Sequence, residues 1–469
     1  MAINWHSKSV LQFSLLAILL LALTAFPAAA QQDGQGVRYV VQPGDTLSSI
    51  SLRFDVSMQD LIEANALTDP NSLNVGDVLV IPGIDWIEGT LVIEEVPLGE
   101  TFLSLERRYL LQDEDMQRLN RFTSTSPEQL YAGLQLMLAT ERGELIGSGR
   151  AALAPGASLL ELAAATGDNP WRLAAVNQLP GTWGAVSGDV LFTPGRQAEG
   201  PGGLPSPITA LIVDDPGFVQ GHTAVITVAG STDLTLGGEL IGHTLNFFES
   251  GDTQVALQGI ALGSSAGVYS FSVMGTLPTG ASFAFSQPIR VQSGDFATAN
   301  LSVNDEELLD PTLTAPEQGQ VEDLMAPVTP GKLWQGVWGW PHDLVSEVTS
   351  EFGVYRRYNG GIAEGFHYGT DFGGGALLNI YAPAPGRVVS AGPLDIRGNA
   401  TFIDHGWGVY TAYYHQKEIY VAAGDVVEAG QVIGIVGNTG RVSGPHLHWE
   451  VWVGGVPVEP LDWLARVFP

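Results

Sequence analysis

Residues 444–451 read GPHLHWEV. The run from Leu447 through Trp452 and Val453 is rich in aromatic and β-branched residues, which predicts a β-strand. Side chains two apart on a strand share a face, so His446 and His448 point the same way and form a metal-binding signal. Upstream, HYGTD sets His367 and Asp371 four apart. On extended chain these two also share a face, which brings an imidazole and a carboxylate toward one cation. The stretch VYTAYYH ends a further strand at His415. Of the nine histidines, five fall from His367 to His448 and none between Gln31 and Gly221. Such clustering marks a site.

The chain has no cysteine. Disulfides are therefore excluded, and any metal must be held by histidines and carboxylates. A hydrolytic zinc centre needs three protein ligands and an open fourth position for water, whose pKa the ion lowers to roughly 7. The motifs supply enough imidazoles and carboxylate for that and leave two imidazoles over. Thiolate-free ligands favour zinc above iron–sulfur or Cu(I) chemistry.

In order along the chain, TSEFG, HYGTD, IDHGWGVYTAYYH, AAGDVVEAGQVIGIVGNTG, GPHLHWEV and PVEP span residues 349–460. This set resembles the lysostaphin-type, or LytM-like, peptidoglycan metalloendopeptidases. The resemblance implies a mainly antiparallel β domain, placed here at residues 332–469, with one Zn2+ held by His367, Asp371 and His448. It also implies that His415 and His446 serve the reaction. One would deprotonate the attacking water, and the other would stabilise the oxyanion or protonate the departing amine, with the division between them open. The implied substrate is the peptide cross-link of peptidoglycan. His405, in the DHG turn, is read as structural. Two positions depart from the family pattern: Gln416 follows His415 where Leu is usual, and Tyr355 stands where FGxR has Arg, although Arg356 follows. Relatives that have lost ligands act as non-catalytic activators of wall amidases, and others cut glycine-rich proteins. The intact set of five side chains favours the peptidoglycan peptidase.

The first half of the chain repeats itself. Gly44 precedes Asn65 by 21 positions, Gly99 precedes Asn120 by 21, and Gly156 precedes Asn177 by 21. The first copy opens on PGDTL and closes on GDVLVIPG. The third closes on GDVLFTPG, and the second, more loosely, on AGLQLMLAT. Apolar positions Leu47, Ile50, Leu61 and Ile62 fall at helical intervals between strands expected at Arg38–Val41 and Val78–Ile81, a small α+β unit of form βααβ. The pattern resembles the lysin motif, LysM, which implies binding of the glycan strands of peptidoglycan by residues 38–83. Residues 91–140 and 150–195 are degenerate copies.

Residues 205–303 alternate in stretches such as TAVITVAG and VYSFSVMG, which predicts an all-β sandwich of immunoglobulin-like form. His222 and His243 within it have no carboxylate partner in the pattern and read as surface or turn histidines. Residues 304–331, rich in Pro, Glu and Asp, read as a linker. The chain of 469 residues is thus multidomain.

At the N-terminus, Lys8, an apolar run from Val10 to Ala25 and the Ala28-Ala29-Ala30 end have the layout of a signal peptide over residues 1–30. The expected location is extracytoplasmic, secreted or wall-associated, with membrane attachment only through an uncleaved signal segment. With 50 acidic against 20 basic side chains, the surface repels phosphate, so nucleic acid and anionic lipid are excluded as partners.

Overall fold

A computed structural model describes residues 36–69, 71–140, 149–194, 200–214, 216–302, 309–344 and 347–469. The expected signal segment lies outside them. Among the described residues no helix is long and apolar enough to cross a membrane. The chain divides into two units after Trp86.

The first unit is the first repeat. Its strands Val37–Val40 and Val78–Ile81 pair antiparallel, Val37 opposite Ile81. Between them lie the helices Leu47–Phe54 and Met58–Ala64. Thr46 caps the first by accepting from Ser49 N while Ser49 returns a hydroxyl contact to the Thr46 backbone, a reciprocal cap that satisfies two otherwise orphaned donors. Val37, Tyr39, Leu47, Ile50, Leu61, Leu79 and Ile81 fill the core.

The equal spacing of the three asparagines has a structural cause. The Asn65 side chain donates to Leu61 O and Val80 O and accepts from Val80 N. Asn120 does the same with Met116 O, Met137 O and Met137 N. Asn177 repeats it with Leu173 O, Phe192 O and Phe192 N. Each amide seals the end of the second helix to the closing strand, so its distance from the opening turn is fixed.

The second unit begins with the other two repeats, whose strands Thr90–Glu95 and Gln135–Thr140, and Gly149–Ala152 and Val190–Thr193, pair antiparallel. An ion pair between the buried Arg107 and the half-buried Asp189 joins them. Next come two four-stranded antiparallel sheets around one core of residues such as Leu211, Ile226, Val228, Phe271, Phe285 and Ile289. The first sheet runs Ala210–Val213, Thr223–Ala229, Thr253–Gly259, Phe248–Ser250. The second runs His243–Asn246, Thr235–Leu240, Gly267–Thr276, Ser282–Val291.

The C-terminal part is built on an antiparallel sheet in the order Val348–Ser350, Thr370–Phe372, Leu447–Val453, Val409–Ile419, Gly398–Gly406, Gly386–Leu394, Val426–Val427. The strand Leu447–Val453 is buried along its whole length. Leu447, Trp449, Val451 and Val453 face a core with Phe372, Ile403, Tyr413 and Trp463. Trp452 joins a second core on the opposite face with Phe402, Tyr410 and Tyr414. Period two thus puts His448, Glu450 and Trp452 on one side of the sheet.

Two readings of the sequence need correction. Of the segment 304–331 read as a linker, the described residues 309–331 are not free chain: Pro311–Met325 is an α-helix, capped by Asp310, whose Val321 and Met325 are fully buried against Phe402, Tyr410 and Trp452. The chain then stays on the sheet, with Pro327 O accepting from Tyr410 Oη and Thr329 Oγ1 bonded to Asp404. His222 does have a carboxylate partner, Asp462 of the C-terminal helix Pro460–Ala465, at 2.7 Å. That pair joins the two-sheet region to the C-terminal sheet. The strand Thr298–Leu301 adds to the join by pairing parallel with Tyr355–Tyr358, while Phe296 packs on Phe352 and Phe366.

Candidate metal centre and active site

The register of three adjacent strands assembles the site. Asp371 lies directly opposite His448, and Tyr414, on the other side, also lies opposite His448. His415 follows Tyr414 at a break in the ladder, in the left-handed region with φ +62°. His446 sits just before the strand, bridged to Gly437. His367 and Asp371 converge through a bend, where the sequence pattern suggested one extended strand. Gly369 in that bend is required, because a Cβ there would lie 2.5 Å from Trp449 O and 2.7 Å from His448 Nε2.

Three atoms meet. His367 Nε2 is 3.0 Å from Asp371 Oδ1 and 3.0 Å from His448 Nδ1, and His448 Nδ1 is 2.7 Å from Asp371 Oδ1. The hydrogen bonds made by the other ring nitrogens fix the tautomers, since a carbonyl only accepts. His367 Nδ1–H donates to Glu351 O at 2.7 Å. His448 Nε2–H donates to Glu450 Oε1 at 2.9 Å. In each ring the remaining nitrogen carries a lone pair, aimed at the same point as the carboxylate. Three lone-pair atoms crowded together call for positive charge between them, which is the chemistry of a cation site with two imidazoles and one carboxylate. These residues fit zinc.

His415 and His446 complete the arrangement. His415 Nδ1–H donates to Thr439 O at 2.8 Å and His446 Nδ1–H to Gly444 O at 2.9 Å, which leaves both Nε2 atoms free to exchange a proton. The two rings lie 4.9 Å apart, and His446 Nε2 is 3.7 Å from Asp371 Oδ1.

Electrostatics sorts the ionisable groups. Burial pushes the His415 imidazole down to about 3 and lowers that of His367. Burial opposes the charge on Asp371, but the two imidazoles of His367 and His448 beside it outweigh that and hold the carboxyl well below its usual range. Burial also opposes the charged form of His448, and the carboxylates of Asp371 and Glu450 on either side of the ring overcome that and raise it. His405 lies outside the cluster, fully buried between Pro385 O and Thr411 Oγ1, with burial lowering it to about 4.

The sequence reading missed several supporting groups. Glu450, two residues past His448 on the same face, accepts from that ring, from Tyr414 Oη at 3.0 Å and from Trp452 Nε1 at 2.7 Å. Strand alternation was the signal that could have found it. Arg356 donates to Asp371 Oδ2 at 2.7 Å and to Ser350 Oγ at 2.8 Å, so the arginine one position late in the FGxR pattern still reaches the carboxylate. Tyr355 instead bonds Glu364, and Gln416 is buried behind the site, donating to Thr401 Oγ1.

Residues 365–460 match the model of Peptidase family M23, and residues 39–82 match that of the LysM domain. Both resemblances read from the sequence are thereby borne out. The peptidoglycan DD-endopeptidase ShyA of Vibrio cholerae is 38% identical over 122 residues, 26% of this chain and 28% of that protein. The DD-carboxypeptidase/endopeptidase Mpg of Neisseria meningitidis is 38% identical over 119 residues, 25% of this chain and 27% of that protein. The chain therefore spans less than a third of the length of these curated relatives. Among solved structures, the catalytic domain of the antimicrobial peptidase lysostaphin from Staphylococcus simulans is 28% identical with a TM-score of 0.21, covering 28% of this chain and 93% of that one.

Proposed function

We propose that the chain is an exported zinc-dependent endopeptidase that cuts the peptide cross-links of peptidoglycan and is held on the glycan by its LysM module at residues 38–83. The observation that carries this reading is the convergence of His367 Nε2, Asp371 Oδ1 and His448 Nδ1 beside the Nε2 atoms of His415 and His446. Of the named relatives that match this segment, one is a peptidoglycan DD-endopeptidase and the other a DD-carboxypeptidase/endopeptidase, which supports the same reaction and substrate class.

In this reading His367, Asp371 and His448 hold one zinc ion, which when bound supplies Lewis acidity and a water of lowered pKa. Glu450 and the Glu351 carbonyl keep the two ligand rings turned to the ion. Arg356 occupies Asp371 Oδ2, so Oδ1 is the ligand oxygen. His415 and His446 share the proton work at their Nε2 atoms, one accepting from the attacking water and the other donating to the amine or to the oxyanion. The two-sheet region serves as an immunoglobulin-like spacer. Its strand orders correspond to A-B-E-D and C′-C-F-G when the eight strands are lettered along the chain, which supports that label.

The test is digestion of purified peptidoglycan by the full chain, following new amino groups. Cleavage should stop with a chelator and return with Zn2+. Cleavage that ignores the chelator, or pure protein that binds no metal, overturns the proposal. Binding to sacculi without hydrolysis would point to an activator instead.

A further inference from the structure

The helix Pro311–Met325 does more than cover a sheet face. Its Glu317 is buried, and both carboxylate oxygens are taken by one turn: Oε2 accepts from Ile396 N at 2.8 Å, and Oε1 accepts from Arg397 N at 3.1 Å and from the Arg397 guanidinium at 3.0 Å. Gln318 takes the other arm of the same guanidinium. Two paths lead from Arg397 to the site. Along the backbone, Arg397 O accepts from His415 N at 3.0 Å, and so pins the residue whose φ of +62° is unfavourable for a side chain with a Cβ. Along the side chain, the guanidinium lies 5.2 Å from the Tyr414 ring centre. Tyr414 in turn stacks on His448 at 5.3 Å with planes 8° apart and donates to Glu450, the acceptor of His448 Nε2–H.

Val321 and Met325 give the helix an apolar seat on the sheet, and Glu317 adds a buried charge to it. A buried carboxylate costs several kcal/mol of desolvation, which only a well-made set of partners offsets, so its presence here calls for a further reason. We propose that Glu317 is a positioning residue: by fixing Arg397 it sets the imidazoles of His415 and His448 from a segment outside the peptidase-matched residues 365–460. The working module then reaches back at least as far as this helix. The effect on catalysis rests on the endopeptidase reading above; the effect on the rings does not.

Full-length Glu317→Ala and the milder Glu317→Gln, confirmed folded by circular dichroism, would be compared with the parent by 15N imidazole spectra of histidine-labelled protein. Steady-state kinetics on a cross-linked muropeptide would accompany them. The His415 and His448 resonances should move, while that of His405, held by Pro385 O outside the cluster, stays in place. The kcat should fall about tenfold, the lower end of what outer-shell partners cost, with KM unchanged, and Glu317→Gln should fall between parent and Ala. Unmoved His415 and His448 resonances in a folded variant overturn the inference, as does an equal shift of all the rings. If Glu317→Ala fails to fold, Glu317→Gln carries the comparison. A parent that cleaves nothing defeats the endopeptidase reading, and the spectra still decide this one.

Discussion

The repeats and the C-terminal sheet both place polar side chains at fixed spacing, yet they spend them in opposite ways. Asn65, Asn120 and Asn177 have donors and acceptor all satisfied by the module in which each sits. His367, Asp371 and His448 have one side of each group satisfied and the other side turned on its neighbours. A recurring polar residue with every bond made serves the fold, whereas one with its donors used and its lone pairs convergent serves chemistry. Regular spacing alone does not separate the two cases.

The contrast can be broken most sharply at His448. His448→Ala should abolish zinc binding and lower cleavage by at least ~10³-fold, as loss of a central catalytic group does. Metal analysis and amino-group release check this, with the circular dichroism spectrum unchanged. Asn177→Ala should do the reverse. It strands the Phe192 N–H and C=O in a buried site and should cost the third repeat about 3 kcal/mol, read by hydrogen exchange, while cleavage of a soluble muropeptide is untouched.

His405 tests the same distinction with pH. Its imidazole is lowered to about 4 when folded, against an ordinary 6.5. The unfolded chain therefore binds the proton first. Stability from the neutral ring is complete above pH 6.5 and is lost as pH falls toward 4, by up to about 3 kcal/mol. His405→Gln should flatten that part of the stability curve measured by denaturant titration. At the smaller end, Glu450→Gln keeps the hydrogen-bonded shape but removes the charge behind His448. Zinc affinity should fall roughly tenfold, measured by competition with a chromogenic chelator. An unchanged affinity would mean that Glu450 belongs with the asparagines.

The parts of this molecule that were legible in the sequence are those with local periodicity. The alternation read in VYSFSVMG appears in the strand Gly267–Thr276, where Phe271 and Val273 are buried between less buried neighbours, whereas TAVITVAG forms a strand buried almost continuously. The histidine motifs pointed to five side chains that do come together. The helix Pro311–Met325 was not legible, because Pro316 and Gly319 lie inside it and both weaken a helix. It is held by tertiary contacts of Val321, Met325 and Glu317. Glu450 was legible in principle, one strand period beyond His448. Arg356, Tyr414 and the His222–Asp462 pair depend on register and on contacts between distant segments, which spacing along one chain does not carry.

The parallel pairing of Thr298–Leu301 with Tyr355–Tyr358 has a consequence for transplantation. A C-terminal module grafted onto another carrier without residues 296–301 would show a naked backbone edge beside the arginine that steadies Asp371, together with the bare aromatic seat of Phe296. Recombination that moves this catalyst intact must therefore take its neighbour's last strand along with it.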